Sequence, residues 1–81
     1  MQRTINSRLT DEGILSELGD RLSRARLRRN QTQASLAEEA GVSKRTVERL
    51  EAGHSTQLGN FLRICRALDL LDGIDLWLPE P

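Results

Sequence analysis

The sequence predicts an all-α fold, a small bundle of roughly four to five short helices. Apolar residues recur at helical spacing along most of the chain, whereas no run of β-branched residues suggests a sheet. The 81 residues suffice for one domain and one compact core. Because Phe61 and Trp77 are the only aromatic residues, that core must be mostly aliphatic.

The N-terminal end of the chain differs from the rest. Residues 1–10 lack helical periodicity, and we expect them to form a flexible arm in front of a single domain of residues 11–81. A helical stripe begins after Asp11, and Thr10 is a suitable cap for it. This first helix is predicted to end near Asn30, and its stripe consists of Ile14, Leu15, Leu18, Leu22 and Ala25.

Capping residues and glycines divide the remaining chain into short helices. They are Thr32 before helix two (33–40), Gly41 after it, Ser43 before helix three (44–52), Gly53 after that, Ser55 or Thr56 before helix four, and Asp72 before a last short turn. Only three residues, "GVS", separate helices two and three. The small residues Ala37 and Gly41 suit two helices that approach closely across a tight turn, which is the geometry of a helix-turn-helix.

The pattern around this turn also resembles the helix-turn-helix family of phage repressors and related bacterial (XRE-type) transcriptional regulators. Its residues are Gln33, Leu36, Ala37, Gly41, Val42, Val47, Leu50 and "EAG" at 51–53. The resemblance implies a repressor-like bundle with double-stranded DNA as its partner.

The third helix carries the residues predicted to contact bases. When Val47 and Leu50 face inward, the side chains that face outward are Lys44, Arg45, Glu48 and Arg49. A guanidinium matches the O6 and N7 acceptors of guanine, and a carboxylate accepts from the cytosine amino group. The alternative is an ordinary exposed helix face on which Glu48 and Arg45 or Arg49 are neighbours in solvent.

A second set is predicted to contact the DNA backbone: Gln33, Ser43, Thr46, Arg28 and Arg29. Gln33 and Ser43 lie at helix N-termini, where backbone amides favour phosphate. For Gln33 the family resemblance implies the same role. The alternative is that these residues only cap helices or carry solvated charge.

The resemblance further implies an ion pair between Arg26 and Glu51, because related repressors pair an Arg of helix one with the Glu at this place. Both residues border apolar stripes. We expect the pair to hold helix one against the third helix, and not to contact bases.

The final segment, "LLDGIDLWLPEP", is richer in apolar residues than a surface tail needs to be. We predict a homodimer through Leu71, Ile74, Trp77 and Leu78. A two-fold axis would then pair two copies of helix three, which we call the recognition helix. The alternative is that these residues close the base of the core.

Charge is unevenly distributed although the formal net charge is zero. Residues 1–50 contain 10 Lys or Arg against 7 Asp or Glu, whereas residues 51–81 contain 2 against 5. A local basic face is therefore compatible with the neutral total.

Several classes of function are not indicated. The sequence has no convergent Ser, His and Asp set, no metal-ligand spacing and no glycine-rich phosphate loop, so we predict no enzyme activity, cofactor or metal. The lone Cys65 reads as a core residue and His54 as a solvated loop residue. No signal segment or membrane span is evident, which favours a cytoplasmic protein without a membrane partner.

Three functions follow from these features. The first is a sequence-specific repressor that binds a palindromic operator as a dimer. The second is an antitoxin that binds a toxin protein and represses its own operon. The third is a helical adaptor that does not contact DNA, against which the outward basic residues argue.

Overall fold

The computed structural model describes residues 3–81, and over that range its regular elements are helices. They are α1 (Asp11–Arg28), α2 (Gln33–Ala40), α3 (Lys44–Glu51), α4 (Leu58–Ala67), a 3₁₀ turn (Leu71–Gly73) and α5 (Ile74–Trp77). The predicted all-α bundle is confirmed, and the first two residues of the predicted arm lie outside the described residues.

Hydroxyl side chains cap the first three helices at the predicted positions. Each accepts a hydrogen bond of 3.0 Å from the backbone N–H three residues later: Thr10 from Gly13, Thr32 from Ser35, and Ser43 from Thr46. Gly41 ends α2 with a φ of 74°, in the left-handed region that glycine adopts without steric cost. Local chemistry therefore sets the start of both helices around the tight turn.

Two helix ends differ from the prediction by one or two residues. α1 ends at Arg28 because the backbone of Asn30 turns to a φ of 56°. The Asn30 N–H then donates to the carbonyl of Leu27, which closes the helix. α3 ends at Glu51 instead of Ala52, a difference within the usual uncertainty of helix boundaries.

The prediction for the start of the fourth helix is wrong. Neither Ser55 nor Thr56 caps α4, which begins at Leu58 with Gln57 as its cap residue. The Phe61 N–H makes the first helical bond, 3.1 Å long, to the carbonyl of Gln57. A non-helical linker therefore connects α3 to α4.

The prediction for Asp72 is also wrong. This residue lies inside the 3₁₀ turn, and no side chain caps that turn or α5. The bend instead begins after Asp69, whose φ is 62°, and the Leu70 N–H donates to the carbonyl of Cys65 at 2.8 Å. Backbone bonds close this end of α4.

The core lies where α2 packs against both α3 and α4, while α3 also packs against α1. Its buried residues are Leu22, Leu36, Ala37, Val47, Leu50, Ile64, Cys65 and Leu68. All are aliphatic apart from the cysteine, as the composition requires. The free thiol of Cys65 is buried, which confirms its assignment to the core, and burial raises its pKa.

Gly19 allows α1 to approach α3 unusually closely. A Cβ at this position would lie 2.4 Å from the carbonyl oxygen of Leu50 and 2.8 Å from that of Glu51. Both distances are shorter than any van der Waals contact between these atoms. The backbones of α1 and α3 therefore touch at a position where no side chain fits.

Residues 3–10 lie outside the helices, and Arg3 attaches them to α1. The Arg3 backbone N–H donates to Glu17 at 3.2 Å, and its guanidinium donates to the carbonyl of Gly13 at 3.0 Å. Arg21 donates to the carbonyl of Arg3 at 2.7 Å and, through Nε, to Glu17 at 3.0 Å. The flexibility expected of the arm stays a prediction, now for a segment that Arg3 bonds to α1 and in which Ile5 and Leu9 are half-buried.

Glu17 is a buried charge that the sequence analysis missed. Its side chain is 5% exposed, and burial opposes its ionisation. The hydrogen bonds from Arg21 and Arg3, with the charges of Arg21 and Arg24, outweigh that effect and lower the pKa of Glu17. The spacing of Glu17 and Arg21, four residues apart on a helix, was a signal for their pairing.

In residues 3–81, no helix combines the length and the apolar character that crossing a bilayer requires. The same residues hold no cluster of three or more His, Cys, Asp or Glu side chains placed to bind a metal ion.

Candidate nucleic-acid interface

The candidate interface is built around the turn between α2 and α3. The Val42 N–H donates to the carbonyl of Ala37 at 3.0 Å, which folds the chain back at the end of α2. Ser43 then starts α3, and the buried side chains of Val47 and Leu50 fix its orientation on α2. The rotation of α3 about its own axis is thereby fixed.

This rotation turns four predicted base-contact residues outward. Lys44, Arg45, Glu48 and Arg49 are all exposed. In the part of the chain that the structure describes, none of the four takes part in an ion pair. Glu48 thus forms no ion pair with Arg45 or Arg49, and the three cations of this face are exposed and available to a ligand, while the alternative of an ordinary solvated face stays open.

Ser43 and Thr46 lie at the exposed start of α3. Their hydroxyl oxygens are 2.9 Å apart and share a hydrogen bond, in addition to the cap bond that Ser43 accepts. Arg28 is exposed at the end of α1, and the neighbouring Arg29 lies 3.6 Å from a carboxylate oxygen of Glu39. Each of these predicted backbone-contact residues reaches solvent in part or in full.

Arg26 and Glu51 face each other in the geometry that the sequence analysis expected. Arg26 Nε lies 2.7 Å from Glu51 Oε2, and Arg26 Nη2 lies 3.0 Å from Oε1. Arg26 Nη1 also donates to the carbonyl of Gln31 at 2.8 Å. The side chains of the pair are only 11% and 8% exposed. The hydrogen bonds to Glu51 raise the pKa of Arg26, while burial acts in the opposite direction.

Gln33 joins this pair, which the sequence analysis did not anticipate. Its amide nitrogen donates to Glu51 Oε1 at 3.1 Å. We refer to Arg26, Gln33 and Glu51 as the Glu51 cluster. It connects α1, the first residue of α2 and the last residue of α3. No local signal links residues 18 positions apart, so sequence periodicity could not reveal this bond.

The predicted dimer residues fall into two groups. Leu71 and Ile74 are half-buried, whereas Trp77 and Leu78 are 72% and 63% exposed. Leu76, which the prediction omitted, is 88% exposed. Beside them, an apolar groove of about 620 Å³ separates α1 from α4 and α5; it is lined by Ile5, Ile14, Leu18, Arg21, Phe61, Cys65, Leu70, Ile74 and Trp77.

Comparison with known families agrees with this geometry. The family described as "Helix-turn-helix domain" matches residues 17–76, which include α2, the tight turn and α3. The chain therefore belongs to the helix-turn-helix domain family, a class of DNA-binding domain. A search of curated proteins gave no match.

Proposed function

We propose that the protein is a sequence-specific regulator of transcription that binds double-stranded DNA. The observation that carries this proposal is the unpaired basic face of α3, with Lys44, Arg45 and Arg49 exposed on the second helix of a helix-turn-helix. In this class of domain that helix enters the major groove, where arginine and lysine reach guanine O6 and N7. Glu48 would accept a hydrogen bond from a cytosine amino group on the same face.

Contacts to phosphate would come from the residues around this face. Gln33, Ser43 and Thr46 lie at the starts of α2 and α3, where unpaired backbone N–H groups favour anions. Arg28 and Arg29 at the end of α1 would neutralise phosphate charges on the flanking DNA strand. These contacts would position the domain without encoding sequence.

The finer assignment is a repressor of the kind found in phages and in XRE-type bacterial regulators. It would act by occupying a palindromic operator as a homodimer. The exposed Trp77 and Leu78, with the half-buried Leu71 and Ile74, support such a dimer because they offer apolar surface at one end of the chain. A two-fold axis there would duplicate the recognition helix.

The alternative is an antitoxin that binds a toxin protein and represses its own operon. The same exposed apolar residues favour it, since a toxin would cover them as well as a second copy would. Co-expression with the product of the adjacent gene separates the two. A stable complex with a toxic neighbour supports the antitoxin, and a homodimer that ignores its neighbour supports the simple repressor.

Selection of bound fragments from random DNA tests the proposal directly. We expect the purified protein to enrich a short motif with two-fold symmetry. Binding to a random duplex should be weak and should disappear as the salt concentration rises, because the whole chain is neutral. Equal retention of all sequences, or of none, would contradict the proposal and favour a helical adaptor.

A further inference from the structure

The Glu51 cluster contains one more hydrogen bond than a structural ion pair needs. Both carboxylate oxygens of Glu51 already accept from Arg26, at 2.7 and 3.0 Å. Oxygen Oε1 nevertheless accepts a further bond, 3.1 Å long, from Gln33. This additional bond joins the first residue of α2 to the last residue of α3.

The bond also determines which way the Gln33 amide points. An ionised carboxylate only accepts hydrogen bonds, so the NH₂ group and not the carbonyl oxygen must face Glu51. A primary amide has two N–H groups, and Glu51 uses one of them. Among the described residues, Glu51 is the hydrogen-bond partner of the Gln33 amide, and Gln33 is only half-buried, so the second N–H remains for another acceptor.

We infer that Glu51 is a positioning residue for the contact between Gln33 and a DNA phosphate. The inference rests on the proposed function, which assigns Gln33 to the DNA backbone. Glu51 holds the glutamine in one rotamer and leaves its second N–H for the phosphate. A free glutamine would lose that rotamer freedom on binding, so the restraint made in the folded protein increases affinity.

A double-mutant cycle tests the inference on DNA. The variants are Gln33→Ala, Glu51→Ala and the double variant, assayed at one salt concentration on a fragment selected by the wild type. Each single change should weaken binding by about three- to tenfold, the effect of one hydrogen bond. The double variant should bind about as well as the weaker single variant, because both changes remove the same contact.

A matched control separates positioning from charge. Glu38 lies on α2 and is exposed, and its carboxylate takes part in no hydrogen bond or ion pair of the described residues. Glu38→Ala removes the same charge as Glu51→Ala but no contact with Gln33, so it should change DNA affinity by the same factor in the wild type and in Gln33→Ala. Independent, multiplicative losses of DNA affinity for Gln33→Ala and Glu51→Ala would overturn the inference.

A second measurement does not depend on DNA affinity. In the folded wild type, the Gln33 side-chain amide should show one proton shifted downfield and protected from exchange by NMR. Glu51→Ala should remove this signature, in a protein whose melt shows that it is folded at the assay temperature. An averaged, unprotected Gln33 amide in the wild type would overturn the inference. Failure of the wild type to bind any DNA would instead overturn the proposed function.

Discussion

Gly19 marks the point where the backbones of α1 and α3 touch. Replacing it with alanine would place a methyl carbon 2.4 Å from the carbonyl oxygen of Leu50, so α1 would have to move away from α3. We expect Gly19→Ala to lower the free energy of unfolding by about 1 to 3 kcal/mol, the usual cost of overpacking. Thermal and urea unfolding followed by circular dichroism would measure it.

Gly59 supplies the matched control for this prediction. It also lies in a helix, α4, but a Cβ there would meet no atom within 4 Å. Gly59→Ala should leave stability unchanged or raise it by up to about 1 kcal/mol, because alanine favours the helix. If the two variants melt alike, the close contact at Gly19 does not restrict the packing of α1.

Glu17 should make stability sensitive to acid. Its pKa lies below the ordinary value of 4.5 in the folded state, so its stabilising effect is fully present above that value. The effect is lost as the pH falls through the lowered pKa. Unfolding measured between pH 7 and pH 2 should therefore show a flat region above about pH 5 and a decline below it.

The variant Glu17→Gln identifies the source of that decline. It keeps the size of the side chain and removes its ionisation. Stability near neutral pH should fall, while its further loss in acid should become shallower than in the wild type. An acid profile parallel to that of the wild type would show that other carboxyl groups dominate the acid response.

The helix boundaries that were predicted best are those set by local capping residues. The bounds of α2 follow from Thr32 and Gly41, because a hydroxyl cap and a left-handed glycine act within a few residues. The start of α4 could not be predicted in this way. Ser55 and Thr56 are good capping residues, but α4 begins at Leu58 with no side-chain cap, so local capping chemistry does not set this start.

In the candidate site, too, local patterns predicted some features and could not predict others. Helical periodicity was sufficient to predict which side of α3 faces outward, because the buried Val47 and Leu50 fix its rotation. It could not show that Gln33 bonds to Glu51, or that Arg3 bonds to the buried Glu17. Such contacts join residues that are distant along the chain, and only the packed helices bring them together.

The proposed recognition helix permits a test of specificity. Arg45 and Lys44 are exposed at the start of α3 and belong to no ion pair of residues 3–81, so their removal should not disturb the fold. Arg45→Ala and Lys44→Ala should each reduce affinity for the selected site by about 1 to 3 kcal/mol. Each should also relax the base preference at one position of each half-site.

Gln33→Ala provides the contrast, since a phosphate contact carries no sequence information. It should weaken binding to all DNA fragments by a similar factor. Binding competitions against a panel of single-base variants would compare the three proteins. A change in base preference with Gln33→Ala, or none with Arg45→Ala, would contradict the roles proposed for these residues.

The size of the protein is compatible with a dimer that binds one face of DNA. The longest dimension of the described residues is 33 Å. Two copies related by a two-fold axis would need to place their recognition helices about 34 Å apart to reach successive major grooves. Two molecules side by side can meet that spacing without an additional domain between them.

The last prediction concerns the proposed dimer. Trp77 is 72% exposed and lines the apolar groove between α1 and α5, and large aromatic side chains often contribute most of the energy of a small interface. Sedimentation should show a dimer for the wild type and a folded monomer for Trp77→Asp. Leu27→Asp is the control, because Leu27 is 57% exposed on α1 and does not line the groove.

The monomeric variant should bind a half-site weakly and lose cooperative binding to the full operator, since each recognition helix then binds alone. A wild type that stays monomeric at high micromolar concentration would contradict the dimer. Unfolding of Trp77→Asp would instead place this residue in the core, because an interface side chain exposed in the monomer tolerates a charge without loss of the fold.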